Sequence, residues 1–203
     1  MNAPVRAVLF DIGGVVVELN DMVGYLKDHG IGDPADFHAR WLHCPTVRLY
    51  ESGGCDTDSF ADGVIRDLEL DMSPAGFLDA FARWPKGLFP GIKDLIRETR
   101  ANAVVGCLSN TNSLHWPAFS PELEPDDIFD HQILSFEIGL MKPDAEIYQH
   151  AVERLDLPAE SILFLDDNPL NVEAARDVGL HAQQVYGTEQ ARAALVRFDI
   201  VAE

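Results

Sequence analysis

The stretch that most constrains the fold is the apolar run Val5–Phe10, which ends at Asp11 and is followed by Gly13 and Gly14. A short apolar run of this kind, closed by a turn signal, predicts a buried β-strand. The carboxylate then lies at the carboxyl edge of a sheet, where open α/β sheets bind their ligands. The two glycines allow the backbone to turn sharply and to approach a ligand closely.

Further apolar runs recur in the second half of the chain, at residues 103–108, 133–134, 162–165 and 181–185. Helical patterns separate these runs, at residues 90–100, 144–155, 168–178 and from 188 onward. Strands that alternate with helices of this length predict an α/β fold with a doubly wound, parallel, Rossmann-like sheet. Because the carboxyl ends of parallel strands share one edge, Ser109 and Asp166 are expected to lie near Asp11.

Residues 18–87 show helical patterns and no strand signal. Asp33 with Pro34, Asp56 and Ser73 each precede a segment with helical spacing, as N-cap residues do. Loops are expected at Gly53-Gly54 and along the proline-rich connection 117–125. The chain is therefore predicted to consist of an α/β core domain and an inserted helical cap domain, at residues 1–17 with 88–203 and at residues 18–87, respectively.

Composition limits the partners. The 203 residues carry a formal net charge of −19, which disfavours nucleic acid and anionic membrane surfaces. No stretch is long enough to span a membrane, and the first residues do not resemble a signal peptide. The three cysteines have no metal-binding spacing and are odd in number, which indicates a reducing cytoplasm. We expect a cytoplasmic monomer or small homo-oligomer.

The predicted sheet edge combines three carboxylates, a hydroxyl, an amide and an ammonium group, from Asp11, Asp166, Asp167, Ser109, Asn110 and Lys142. Carboxylates that converge repel one another and require a divalent cation, and hard oxygen ligands favour Mg²⁺. The metal and Lys142 would neutralise phosphate oxygens, to which Ser109 and backbone N–H groups would donate hydrogen bonds. Asp11 is then free to attack phosphorus and form an aspartyl-phosphate.

Each residue also has a structural interpretation. Asp11 could cap a turn, Ser109 is of a type common in loops, Lys142 could be solvated, and the Asp166-Asp167 pair could balance a helix N-terminus. Their joint placement favours the functional interpretation. Packing or capping is favoured over substrate contact for a second group of residues, namely Asn112, His115, Trp116, Arg48, Tyr50 and Glu51.

Four motifs occur in order, namely Phe-Asp11-Ile-Gly-Gly-Val, Leu-Ser109-Asn-Thr-Asn, Gly-Leu-Met-Lys142-Pro-Asp and Phe-Leu-Asp166-Asp167-Asn. By the order of these motifs and by their residues, the sequence resembles the haloacid dehalogenase superfamily of phosphohydrolases, from Val5 to about Val185. The residues that flank Ser109 and Lys142 look especially like those of bacterial α-D-glucose-1-phosphate phosphatases. The resemblance implies a Mg²⁺-dependent hydrolase that acts on a small phosphorylated metabolite.

At matching positions the resemblance also implies residue roles. Asp11 would be the nucleophile, Ser109 the phosphate-binding hydroxyl, and Lys142 the cation that steadies both. Asn110 and Gly13 complete the predicted phosphate-binding set. Residues 18–87 would form the cap that closes over a small substrate.

For the metal, the resemblance implies Asp11 and Asp167 as direct Mg²⁺ ligands, with Asp166 as a ligand or a neighbour that supports one. The main-chain carbonyl of Gly13 would complete the site. The family usually has a second Asp at the position of Gly13, where it serves as the general acid and base. Without this Asp, the site lacks a general acid and base, which typically increases the reaction rate by about 10²–10⁴-fold. A good leaving group, such as the anomeric oxygen of a sugar 1-phosphate, would need that help less, and the glucose-1-phosphate phosphatases also have glycine there.

Two alternatives remain open. A carbon–halogen hydrolase also lacks the second Asp, but it needs no metal, and the Asp166-Asp167 pair therefore argues against it. A binding or regulatory protein with a weakened site is the other alternative, and Gly13 is the residue that favours it.

Overall fold

The protein is described here by a computed structural model that covers residues 4–27, 29 and 40–202. Its strands are β1 (Ala7–Phe10), β2 (Val17–Leu19), β3 (Pro85–Leu88), β4 (Val104–Ser109), β5 (His131–Leu134), β6 (Ile162–Asp166) and β7 (His181–Gln184). Five of them form a parallel sheet in the order β5-β4-β1-β6-β7, which confirms the predicted α/β class.

Strand β1 occupies the centre of this sheet. Phe10 at its end is in register with Cys107 of β4 on one side and with Leu165 of β6 on the other. The chain builds one half of the sheet, returns across β1 and then builds the other half. Asp11 therefore leaves the sheet at the point where the strand order reverses, which is where doubly wound sheets bind ligands.

Helices cover both faces of the sheet. They are α5 (Ile92–Arg100), α6 (Trp116–Leu123), α7 (Pro125–Ile128), α8 (Ser135–Ile138), α9 (Ala145–Leu155), α10 (Pro169–Asp177) and α11 (Gly187–Arg197). One apolar cluster joins β1 to α5 and α11, and a second joins β1 to α9 and α10. Among the described helices, none is long and apolar enough to cross a bilayer.

The inserted segment has an apolar cluster of its own. Its helices are α1 (Met22–Lys27), α2 (Pro45–Glu51), α3 (Thr57–Leu68) and α4 (Pro74–Ala82), with a further helical turn at 40–43. Aromatic rings dominate the cluster, and Tyr50 stacks on Phe60 with ring centroids 4.1 Å apart. As predicted, Asp56 and Ser73 cap helices, since each side chain accepts a backbone N–H in the following turn. The helix start predicted at Asp33 and Pro34 lies outside the described residues.

Two expectations about local structure are wrong. Strands β2 and β3 pair antiparallel at the two ends of the insert, although residues 18–87 showed no strand signal. With three and four residues, they are too short to show a strand period. The loop predicted at Gly53-Gly54 is present and follows helix α2. Helix α6 occupies the proline-rich connection, because Pro117 lies in its first turn, where a missing N–H is tolerated.

Candidate active site

The structure brings the predicted strand-end residues together at one edge of the sheet. Asp11 follows β1, Ser109 ends β4 and Asp166 ends β6, and β1 lies between the other two strands. All three side chains are buried. The spatial arrangement follows directly from parallel pairing, since each strand ends in a polar residue at the same level of the sheet.

Lys142 lies at the centre of this cluster. Its Nζ atom is 2.8 Å from Asp11 Oδ1 and 2.7 Å from Asp166 Oδ2, and its side chain is 1% exposed. Burial pulls the pKa of Lys142 down, but Asp11 and Asp166 more than offset this, and the net pKa is raised. The ammonium group therefore stays charged at neutral pH.

Asn110 fixes the backbone of Lys142. Its Nδ2 donates to the carbonyl of Lys142 and its Oδ1 accepts the N–H of Lys142, both at 2.9 Å. This reciprocal pair holds the loop before α9 against the end of β4, from which the lysine side chain reaches the carboxylates. Asn110 thus lies at the predicted site, with its side-chain amide on the main chain of Lys142.

Asp166 is bound on both carboxylate oxygens. Oδ1 accepts the N–H of Asn168 at 2.8 Å, and Oδ2 accepts from Lys142. The side-chain amide of Asn171 donates to both oxygens, at 3.0 and 3.1 Å. Because donors engage both oxygens, Asp166 is placed to hold Lys142 in position.

Asp167 lies beside Asp166, where Gly14 makes room for it. A Cβ atom on residue 14 would lie 2.3 Å from Asp167 Oδ2, and Gly14 adopts a φ of +73°. Both facts require glycine at this position. Gln184 donates to the main-chain carbonyl of Asp167 at 3.0 Å.

The three carboxylates can hold a cation. Asp11, Asp166 and Asp167 each offer an oxygen within 4.8 Å of the others. Burial raises the pKa of Asp11 well above its usual value, against the opposing effect of Lys142, and the other two carboxylates raise it further. Burial and the charge of Asp166 raise the pKa of Asp167 to about 6. A hard divalent cation would relieve this repulsion, and the oxygen donors suit Mg²⁺.

Ser109 and Gly13 line a cavity of about 110 Å³ together with Ile12, the residue that follows Asp11. Ser109 is buried, and its Oγ lies 3.3 Å from the carbonyl of Asn110. A Cβ atom on residue 13 would meet Leu19, which also lines the cavity, at 3.4 Å. The side chain that the family usually has at residue 13 would therefore point toward this cavity.

The insert contributes an acidic group to the same cavity. Glu51, the last residue of α2, lines it and is 8% exposed. Burial raises the pKa of Glu51 to about 7, although Trp41 donates a hydrogen bond to it and the charges of Lys142 and Arg48 oppose the shift. The sequence favoured a packing role for Glu51, because no local pattern shows that the end of α2 faces the strand ends.

Two contacts seat α2 on the core on either side of Glu51. Arg48 forms an ion pair with Asp144, the N-cap residue of α9. Gly53, with a φ of +76°, packs so closely on α8 that a Cβ atom there would lie 2.2 Å from the carbonyl oxygen of Phe136. These contacts fix the position of Glu51 above the sheet edge.

Asn112 and His115 have structural contacts, as the sequence favoured. Asn112 Oδ1 accepts the N–H groups of Leu114 and His115, at 3.2 and 2.9 Å. His115 Nε2 lies 2.7 Å from the carbonyl of Phe81 in α4, which joins the core to the insert. Burial lowers the pKa of His115 to about 4, despite this hydrogen bond.

Comparisons with known proteins identify the fold and the family. A sequence model of haloacid dehalogenase-like hydrolases matches residues 5–179. The chain is 25% identical to D-ribitol-5-phosphate phosphatase of Bacteroides thetaiotaomicron, with 89% of this chain and 91% of that protein aligned. It is 28% identical to the sesquiterpene phosphatase astK of Aspergillus oryzae, with 86% of this chain and 87% of that protein aligned.

The fold matches solved structures. One is a haloacid dehalogenase family enzyme of Bacteroides thetaiotaomicron crystallised with magnesium and inorganic phosphate, with a TM-score of 0.70 and 23% identity over 93% of this chain and 98% of that one. These similarities do not test the closer resemblance to glucose-1-phosphate phosphatases, which stays a prediction.

Proposed function

The chain belongs to the haloacid dehalogenase-like hydrolases, and we propose that it hydrolyses phosphate monoesters of a small metabolite. The observation that carries this proposal is the buried contact of Lys142 Nζ with Asp11 and Asp166, beside the carboxylate of Asp167. An ammonium group fixed next to a nucleophilic carboxylate is placed to neutralise the phosphate that this carboxylate attacks.

In the proposed reaction, Asp11 attacks phosphorus and forms an aspartyl-phosphate, which water then hydrolyses. Ile12 N–H and Lys142 both bond Asp11 Oδ1, at 2.7 and 2.8 Å, and the attack is assigned to Oδ2. Ser109 donates a hydrogen bond to the phosphate. Asn110 acts mainly through the backbone of Lys142, which it holds.

We propose Mg²⁺ as the cofactor, with Asp11, Asp167 and the Gly13 carbonyl as its ligands. Asp166 is part of the same acidic group, but its bonds suit it better to the positioning of Lys142. The bound metal would add positive charge at the phosphate oxygens. The magnesium and phosphate found in a structural neighbour support this assignment.

For the substrate, we propose a small phosphorylated metabolite, with a sugar 1-phosphate first among the candidates because the glucose-1-phosphate phosphatases that the sequence resembles also have glycine at residue 13. The phosphatases among the relatives and the volume of the cavity, about 110 Å³, support a small molecule. Residues 18–87 are proposed to serve as the cap over the site, since Glu51 of the insert lines this cavity.

The test uses the full chain with MgCl₂ and measures product release from p-nitrophenyl phosphate and phosphate release from a panel of sugar and alditol phosphates. Asp11→Asn should lower turnover by roughly 10⁴-fold or more, because the nucleophile is lost. Asp62→Asn, on the exposed side of α3, is the matched control and should retain full turnover. EDTA should abolish the activity.

Two results would contradict the proposal. Metal-independent release of chloride from 2-chloropropionate would identify a carbon–halogen hydrolase. Binding of phosphate and Mg²⁺ without turnover of any compound in the panel would identify a binding or regulatory protein.

A further inference from the structure

We propose that Glu51 is the general acid and base of this site and supplies the proton transfer for which Gly13 has no side chain. This inference rests on the proposed phosphatase function. It assigns a catalytic role to a residue of the insert, whereas the nucleophile and the phosphate-binding groups come from the sheet.

The position of Glu51 supports this role. It lines the same cavity as Gly13 and Ser109, so an ester oxygen bound there would lie between the insert and the sheet edge. The positive charge of Lys142, which bonds Asp11, lowers the pKa of Glu51 against the effect of burial. Glu51 thus shares a cavity with Ser109 and Gly13 and interacts with the cation of the reacting centre.

The chemistry of Glu51 suits a group that both donates and accepts a proton near neutral pH. Burial raises its pKa to about 7, whereas the Trp41 hydrogen bond and the charges of Lys142 and Arg48 favour the ionised form. His115 lines the cavity too, but its pKa of about 4 keeps it neutral and unable to donate as imidazolium. An acid whose pKa lies near the working pH transfers protons most effectively.

The surroundings hold Glu51 in place. One turn before Glu51, Arg48 forms its ion pair with Asp144. Two residues after Glu51, Gly53 packs closely on Phe136. Behind α2, Tyr50 stacks on Phe60. A proton donor must be positioned firmly relative to the atom it serves, and these contacts provide that support.

The proposed steps balance. When Asp11 bonds to phosphorus, the bond from phosphorus to the ester oxygen breaks, and this oxygen takes the proton of Glu51 and leaves as an alcohol. In the second step a water molecule attacks phosphorus, Glu51 takes a proton from that water, and the bond between phosphorus and Asp11 breaks. Inorganic phosphate is released, and both carboxyl groups return to their initial state.

The experiment compares Glu51→Gln with the wild type on two probes. The leaving group of D-ribitol-5-phosphate is an alkoxide that needs a proton. The leaving group of p-nitrophenyl phosphate is a stable phenolate that needs none. We expect kcat/KM, which reports the first step alone, to fall about 10²–10⁴-fold on the first probe and less than about 10-fold on the second. Glutamine has nearly the same shape as glutamate and keeps an oxygen for the Trp41 hydrogen bond. Circular dichroism and thermal unfolding check that the Glu51→Gln variant folds like the wild type.

Glu137→Gln, an exposed change on α8, is the matched control and should leave both activities unchanged. A second readout is the pH profile of kcat/KM, which reports the ionisation of the free enzyme. On the alkyl phosphate, the wild-type rate should fall as pH rises through about 7, because Glu51 loses its proton. Glu51→Gln should lack this decline.

The inference is overturned if Glu51→Gln lowers kcat/KM for both esters by the same factor, which would indicate a structural or binding role, or if it lowers neither. It is also overturned if the wild type cleaves p-nitrophenyl phosphate but no alkyl phosphate in the panel. Failure of the phosphatase function gives a different result, because the wild type would then cleave neither type of ester.

Discussion

The sheet edge and the helical insert both bury acidic side chains, but these side chains have different partners. At the sheet edge, Lys142 contacts Asp11 and Asp166 within 2.8 Å, and the charges are fixed in a bonded group. In the insert, Glu51 is buried with a hydrogen bond from Trp41, and its pKa lies at about 7. The first arrangement keeps Lys142 charged, whereas the second allows Glu51 to gain and lose a proton near neutral pH.

This difference separates two tasks within one small site. The cation that steadies phosphate must stay charged throughout the reaction, and the carboxylates bonded to Lys142 ensure this. A proton carrier must exist in both states near the working pH. We infer that the sheet supplies the fixed cation of the site and that the insert supplies the group that exchanges a proton.

The largest expected effect comes from breaking the fixed group. Lys142→Met leaves the buried carboxylates of Asp11 and Asp166 without their cation, which should lower the free energy of unfolding by about 3–5 kcal/mol. Lys86→Met is the matched control, because Lys86 pairs with Glu18 at 2.6 Å but is 55% exposed, and should change stability by less than about 1 kcal/mol. Urea unfolding at pH 7 measures both. Equal losses would show that the buried group is no more fixed than a surface pair.

A smaller effect concerns the contact between the two regions. His115 has a pKa of about 4 in the folded protein, below its ordinary 6.5. Its contribution to stability is present above pH 6.5 and is lost as pH falls toward 4, since the ring must then be charged while buried. Between pH 7 and pH 5 the wild type should lose about 2 kcal/mol more than His115→Gln.

Urea unfolding at the two pH values gives this difference, and His43→Gln, at an exposed position, should follow the wild type. If His115→Gln loses as much stability as the wild type on acidification, then the contact between insert and core does not depend on a neutral histidine.

The smallest expected effect on stability is that of the ion pair which seats α2. The side chains of Arg48 and Asp144 are 35% and 44% exposed, so Arg48→Met should change the free energy of unfolding by less than about 1 kcal/mol. Cleavage of the alkyl phosphate should nevertheless slow several-fold, because Glu51 is held less firmly. Asp144→Asn should have the same effect, and the double variant should add little to either change. Additive losses would mean that the two residues act separately.

Much of the sheet and of its edge could be predicted from the sequence. Apolar runs that end in Asp11, Ser109 and Asp166 show the strands, and parallel pairing alone brings these residues together. The fixed contacts of Lys142 were not visible in the same way, because they depend on Asn110, whose side chain folds back on the lysine backbone. The roles of these residues remain proposals.

The insert was harder to predict because its decisive features are either short or long-range. Strands β2 and β3 have too few residues to show a period, and they pair at long range, since Leu19 is in register with Pro85, 66 residues further along the chain. Nothing near Glu51 in the sequence shows that it is buried against the sheet edge. Its burial results from the docking of α2, which depends on contacts with two other elements, α8 and the N-cap of α9.

The turn at Gly53 limits how this protein can vary. Gly53 is exposed to solvent, a setting in which most positions accept many residues. Even an alanine there would collide with the carbonyl oxygen of Phe136 and would have to adopt a left-handed backbone conformation. A surface residue is therefore as restricted as one in the interior, and the region between insert and sheet can diversify only through the residues around it.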